Sequence, residues 1–275
     1  MKARRAGISL RGFSPENYLP MPACDLPLKY ADCINFLMTQ RMKRTLLASS
    51  AVLVVGAAIY VNFFNPRMPS IEAGFEDPGY CEDYIPVSDV RLIAHAGGGL
   101  PSGTYTNSLE AINMAAEHGF DLIELDFILD NGQLALGHDL DRKSDLNLAE
   151  LMTWLDQHPN ISIITDVKDG NEHLAQLARI AGGRRQRFIV QIYDPAEWQS
   201  VKALGFDRMI FTAYRTTGLD WIEQVNALEL EAVTMPAAWG ERVTGIEHPV
   251  FRHTVNRPYQ ADGLYTDCLI PAPAA

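Results

Sequence analysis

Glu124 and Asp126 stand two residues apart in the run Asp121-Leu-Ile-Glu-Leu-Asp-Phe127, with His95 upstream and His138-Asp139 downstream. Residues i and i+2 of a strand share a face, so both carboxylates project to one side of a strand that is otherwise apolar. Leu122, Ile123, Leu125, Phe127 and Ile128 leave almost no other polar residue in it, as in a parallel strand buried on both faces. Two carboxylates buried together repel each other and lose hydration unless a cation or protons offset their charge. Carboxylate oxygens suit a hard divalent ion, Mg²⁺ or Ca²⁺. The two histidines, whose imidazoles titrate near neutral pH, read as a proton-transfer pair beside it.

Groups so far apart in sequence need a scaffold that gathers them. From Arg91 onward short apolar runs alternate with amphipathic segments, the pattern of repeated βα units and a parallel sheet. Strands are expected at 91–95, 121–127, 161–166, 187–192, 208–213, 231–235, 249–254 and 263–266, and helices at 107–118, 147–157, 171–181, 194–204 and 218–227, with a weaker one at 237–244. Asn107-Ser108 and Asp194-Pro195 are plausible helix starts, and Gln133–Leu136 a hairpin arm that delivers His138 after the turn Asp130-Asn-Gly132. No helix fits in Asn256–Ala261, between the last two strands. Eight strands closing into a compact (β/α)8 TIM barrel is the favoured α/β architecture, built from about 180 residues against the roughly 250 typical. An open doubly wound sheet is the alternative, but it gathers its ligand at one switch point. Here polar residues end many strands: His95, Glu124 with Asp126, Asp166 with Lys168, Gln191 with Tyr193, Tyr214 with Arg215, His253 and Asp267. In a βα barrel the strand ends converge, so that scattered list becomes one ring.

Ahead of the barrel (91–275), Thr45 to Phe64 gives twenty residues without a charge, preceded by Arg41, Lys43 and Arg44. That reads as a transmembrane signal anchor over 42–65, its basic flank holding the N-terminus in the cytoplasm, with a proline-bearing linker over 66–90. A cleaved signal peptide ranks second. Residues 1–41 are then a cytoplasmic extension, or lie ahead of a natural start at Met42. Up to Arg44 there are 8 Lys+Arg against 3 Asp+Glu, and beyond it 15 against 31, so the exported part is acidic and nucleic acid is excluded as a partner. Cys81 and Cys268 flank the barrel, and an exported domain with two cysteines invites a disulfide between them.

The stretches Leu92-Ile-Ala-His-Ala-Gly-Gly98, Asn107-Ser-Leu-Glu-Ala111, Gly119-Phe-Asp-Leu-Ile-Glu-Leu-Asp126, Gly137-His-Asp139, Thr165-Asp-Val-Lys168, His253-Thr-Val-Asn256 and Ala261-Asp-Gly-Leu-Tyr-Thr-Asp267 follow one another in order. In that order they resemble the glycerophosphodiester phosphodiesterases and the related phosphatidylinositol phospholipase C-like barrels, over about residues 91 to 267. The resemblance implies a metal-dependent phosphodiesterase in which Glu124, Asp126 and Asp166 bind the metal and His95 and His138 act as general base and acid. Lys168 would hold a phosphate oxygen, and Gln191, Tyr193 and His253 would line the substrate site. The implied substrate is a glycerophosphodiester or another small-molecule or lipid head-group phosphodiester. The attacking hydroxyl would often be the substrate's own.

Several departures from the family pattern carry meaning. Ala96 follows His95 where an arginine usually contacts phosphate, so the grip falls to the metal, Lys168 and the amides of Gly97 to Gly99 acting as an anion nest. Thr106-Asn107-Ser108 stands where the family has Glu-Asn-Thr, and His253 where it has tryptophan. The insertion after the second histidine is nearly absent, which suggests an open site. Two rival readings remain: a phospholipase C- or D-type enzyme acting on intact lipid, and a catalytically inactive barrel that binds phosphate groups. His118 and His158 read as helix caps, and Arg184, Arg185 and Arg187 as a solvated turn.

Overall fold

The computed structural model describes Cys81 and residues 89–269. The expected extension, anchor and most of the linker lie outside the described residues. Among the described residues no helix is long and apolar enough to cross a membrane.

Nine strands form one sheet: β1 (Arg91–Ala94), β2 (Leu122–Asp130), β3 (Gln133–Leu136), β4 (Ser162–Val167), β5 (Phe188–Ile192), β6 (Arg208–Thr212), β7 (Ala232–Pro236), β8 (Val250–His253) and β9 (Gly263–Thr266). Eight of them are parallel, and the sheet closes because β1 pairs with β2 on one side and β9 on the other. β3 is the exception. It folds back antiparallel on Phe127–Asp130 of β2, forming the expected hairpin arm above the barrel.

Each parallel strand gives one side chain to a buried interior layer: Ile93, Leu122, Ile164, Ile189, Ile210, Ala232, Phe251 and Tyr265. The opposite faces, among them Ile123, Leu125, Ile163, Val190 and Val233, join the helices in a second, larger apolar cluster. That double burial is why the strands read as continuous apolar runs.

Helices α1 (Leu109–Glu117), α2 (Leu148–Gln157), α3 (Leu174–Ala181), α4 (Glu197–Ala203) and α5 (Trp221–Asn226) cover the barrel. Ser108 caps α1, accepting from the Ala111 amide, and Asn147 with Glu150 forms a full capping box on α2. α3 buries Leu174, Leu177, Ala178 and Ala181, the i, i+3, i+4, i+7 stripe of one face. The helix expected at 171–181 opens with a 3-10 turn at Asn171–His173. The one expected at 194–204 starts only at Glu197, because Asp194 takes the Ala196 amide in a preceding turn. The segment expected at 237–244 is a 3-10 helix, Ala237–Arg242, with Gly240 at φ 47 breaking its regularity. Cys81 and Cys268 are joined by a disulfide.

Candidate metal centre and proton-transfer site

Side chains alternate along a strand, so the residue two places beyond each member of the interior layer faces the same way. Moving that far toward the strand ends gives His95, Glu124, Asp166, Gln191, Thr212, Thr234, His253 and Asp267. A polar ring therefore sits directly above an apolar floor. Asp126 and Lys168 lie two residues further along β2 and beyond β4.

Glu124, Asp126 and Asp166 offer carboxylate oxygens that all lie within 4.8 Å of one another. Glu124 and Asp126 are almost fully buried. The Ala96 amide donates to Glu124 Oε2 at 2.7 Å, held there by a left-handed Ala96 backbone (φ 50) that costs about 1–2 kcal/mol in a residue with a Cβ. Asn107 grips Asp126 twice, its Nδ2 donating to Oδ2 at 2.9 Å and its Oδ1 accepting the Asp126 amide at 2.8 Å. The Lys168 ammonium stands 2.6 Å from Asp126 Oδ1 and 2.5 Å from Asp166 Oδ2. Tyr193 donates its hydroxyl to the other Asp166 oxygen at 2.5 Å.

Charge is concentrated here, and the ionisation equilibria respond. Burial, with Asp126 close by, pushes the Glu124 carboxyl up to about 8. Burial also works against the Asp126 carboxylate, but Lys168 and Asn107 outweigh it and hold its pKa below the usual value. Burial opposes the Lys168 charge too, and Asp166 and Asp126 more than restore it.

Asp126 Oδ1 is buried, with the Lys168 ammonium 2.6 Å away offsetting its charge. Three carboxylates whose oxygens converge in this way are the donor set a hard divalent cation takes. The residues fit such an ion.

His95 donates from Nδ1 to Asp267 Oδ1 at 2.8 Å, and Asn256 secures Asp267 by donating to its other oxygen at 2.9 Å. Burial pulls the His95 pKa down, but the Asp267 hydrogen bond and the surrounding carboxylates overcome it, leaving it above 6.5. The ring of His253 meets that of His95 edge-on at 4.5 Å, and burial beside His95 and Lys168 keeps His253 neutral by lowering its pKa well below 6.5. His138 joins the group through Tyr105, whose ring touches His95 at 4.7 Å and His138 at 4.9 Å. Burial pushes the Tyr105 phenol up to about 12, so it stays protonated between the two imidazoles. His138 Nδ1 lies 3.2 Å from Asp139 Oδ2 and 2.8 Å from Arg142 Nη2, and Arg142 Nε donates to Asp139 at 2.8 Å.

No family model matches the sequence, and no curated protein does. Among solved structures the chain is similar to an Oleispira antarctica phosphodiesterase in complex with the product sn-glycerol-3-phosphate, with 14% identity and a TM-score of 0.48 over 64% of this chain and 92% of that one. It is also similar to a protein from Galdieria sulphuraria provisionally described as a glycerophosphodiester phosphodiesterase, with 14% identity and a TM-score of 0.47 over 66% of this chain and 94% of that one. Likenesses of this strength assign neither activity nor substrate.

The expected site residues thus divide. His95, Glu124, Asp126, Asp166, Lys168, Tyr193 and His253 lie in one contact network, and His138 joins it through a ring. Gln191 is committed elsewhere, its side-chain oxygen accepting from Thr212 at 2.8 Å and Tyr265 at 3.4 Å inside the barrel. The anion nest expected at Gly97 to Gly99 is mostly spent, because the Gly98 and Gly99 amides donate to the His95 and Asp267 carbonyls. Nor is the 184–187 turn simply solvated: Arg184 pairs with Asp156, and Arg187 donates to carbonyls of residues 155, 158 and 161. Asn107, Asn256 and Arg142 emerge as site residues that spacing did not single out for these roles. His118 and His158 do end α1 and α2.

Proposed function

We propose that the chain is a metal-dependent phosphoric diester hydrolase acting on glycerophosphodiesters or related lipid-derived phosphodiesters. The triad Glu124, Asp126 and Asp166, the first two buried and the carboxylate oxygens of all three within 4.8 Å of one another, is the observation that carries this reading. Those three side chains would hold Mg²⁺ or Ca²⁺, which supplies charge neutralisation to a phosphoryl oxygen.

The protein's own groups do the rest. His95, raised in basicity by Asp267, takes a proton from the attacking hydroxyl. His138, protonated with its Nδ1–H facing Asp139 Oδ2, presents Nε2–H to the departing alcohol and donates that proton to it. Lys168, its ammonium at the acidic cluster beside Asp126 and Asp166, holds a non-bridging phosphate oxygen as charge develops. Tyr193 keeps Asp166 aimed through its hydroxyl hydrogen bond, and Tyr105 and His253 wall the cleft as neutral rings. The domain works tethered by 45–64 on the extracytoplasmic face of the inner membrane, a placement supported by the basic flank and by the disulfide.

Hydrolysis of bis(p-nitrophenyl) phosphate by the full-length chain, with EDTA and across a divalent series, tests the proposal. Turnover requiring a divalent ion, and a His95→Ala variant slower by roughly 10²–10⁴-fold, is the expected result. A wild type inert with every metal, or a His95→Ala variant at the wild-type rate, rejects it.

A further inference from the structure

The site as built is short of positive charge for an anionic substrate. Glu124, Asp126, Asp166 and Asp267 bring four carboxylates together, and Lys168 is the one ammonium among them. With Glu124 ionised, as a bound divalent cation would make it, that cation would offset two of the three remaining negative charges, so the cluster stays net negative while His95 is neutral. A phosphodiester adds another. Ala96 occupies the position beside His95, the Gly98 and Gly99 amides are spent on carbonyls, and Arg142 is paired with Asp139. The missing cation must come from elsewhere on the rim.

Arg215 fits that need. It ends the 3-10 turn Ala213–Arg215 that follows β6 directly, on the strand-end side of the barrel where the acidic cluster lies. Its side chain is exposed, and its guanidinium lies over the Tyr193 ring, 4.3 Å from the centroid. The hydroxyl of that same Tyr193 touches Asp166, so one aromatic ring separates the guanidinium from the cluster. Among the described residues Arg215 makes no ion pair or hydrogen bond, so its five donors are available to a ligand.

We propose that Arg215 is a second phosphate-gripping residue of this site, acting beside Lys168. Stacked on Tyr193, its planar fork is pre-oriented to donate to the non-bridging oxygens of a phosphodiester whose phosphorus sits over Glu124, Asp126 and Asp166. This rests on the phosphodiesterase reading, and it assigns to a residue after β6 the contact that the alanine after His95 cannot make. The same fork would hold the phosphate monoester that the reaction leaves behind.

Equilibrium binding of inorganic phosphate to the full-length chain, with and without divalent metal, is the measurement, paired with KM and kcat for the chromogenic diester. Arg215→Ala should weaken phosphate binding roughly ten- to hundredfold and raise KM by a similar factor, with a smaller change in kcat. Arg215→Lys, which keeps the charge but not the fork, should recover part of the affinity, and the thermal midpoint should hold in both variants. Phosphate affinity and KM unchanged in Arg215→Ala, no phosphate binding by the wild type, or an affinity loss matched in both variants by a fall in thermal midpoint, overturns the assignment. If the wild type binds phosphate through Arg215 yet hydrolyses nothing, the anion site stands and the catalytic reading falls.

Discussion

His95 shows how one residue's chemistry is set by partners far away in sequence. Asp267, 172 residues on, accepts from its Nδ1–H, and Asn256 fixes that carboxylate. A histidine whose folded pKa lies above 6.5 keeps its proton to higher pH, so a base in that position becomes competent only as pH rises through the raised value. Asp267→Asn removes the charge and the acceptor that favour the imidazolium. The acidic limb of kcat/KM should then move to lower pH, with the plateau falling by roughly 10²-fold or more as ring orientation is lost. A pH–rate profile for both proteins at one fixed metal concentration measures the difference. An unmoved limb would remove His95 from the role of base. Little of this was legible in the sequence. The Glu-x-Asp spacing and the two histidines stood out because period-2 geometry alone places the carboxylates together. Asn107, by contrast, looked like a helix start, and its double grip on Asp126 exists only because the chain between them turns back.

At the scale of elements, the strands were legible and the helices only partly so. β2 and β4–β7 are apolar on both faces, and burial on two sides writes itself into composition. The helices after β5 are short because local side-chain chemistry competes with them: Asp194 takes the Ala196 amide, and α4 runs only from Glu197 to Ala203. Arg142 was illegible for a similar reason, since it rides a 3-10 turn that has no periodic pattern to read. What positions that turn is Gly137. Its φ of 144 and its bridge to Lys143 bring the 142–143 backbone so near that a Cβ would lie 2.6 Å from Lys143 Cα and 2.7 Å from the Arg142 carbonyl oxygen. Gly137→Ala must therefore push that turn outward, carrying Arg142 off His138 Nδ1. We expect about 1–3 kcal/mol of lost stability and at least a tenfold drop in kcat. Gly132→Ala is the comparison. It too has positive φ (78), but nothing lies within 4 Å, so it should cost about 1 kcal/mol of stability and leave kcat alone. Urea melts and steady-state kinetics on the pair separate backbone strain from loss of the acid.

For the whole molecule, closure is the event that makes a site out of dispersed strand ends. β9 completes the ring beside β1, and Asp267 follows β9 directly, so His95 gains its partner only when the ends of the barrel meet. The Cys81–Cys268 disulfide bridges 187 residues and pins the segment immediately after Asp267. A cross-link over so long a loop restricts the unfolded chain, stabilising the fold by about 2–5 kcal/mol. Asp267 itself is also held without it, through Asn256 and the Gly99 amide. Reduction should accordingly lower the thermal midpoint by several degrees while kcat, assayed well below that midpoint, changes little. The same bond makes the expected topology testable by counting thiols. Cys24 and Cys33 precede the apolar stretch 45–64, on the side its basic flank assigns to the reducing cytoplasm, whereas Cys81 and Cys268 follow it. Protein alkylated in intact cells and then denatured without reductant should therefore show two thiols per chain labelled, and reduction should release two more. Four labelled thiols before reduction would place the barrel in a reducing compartment, and none would carry the N-terminal segment across the membrane with it.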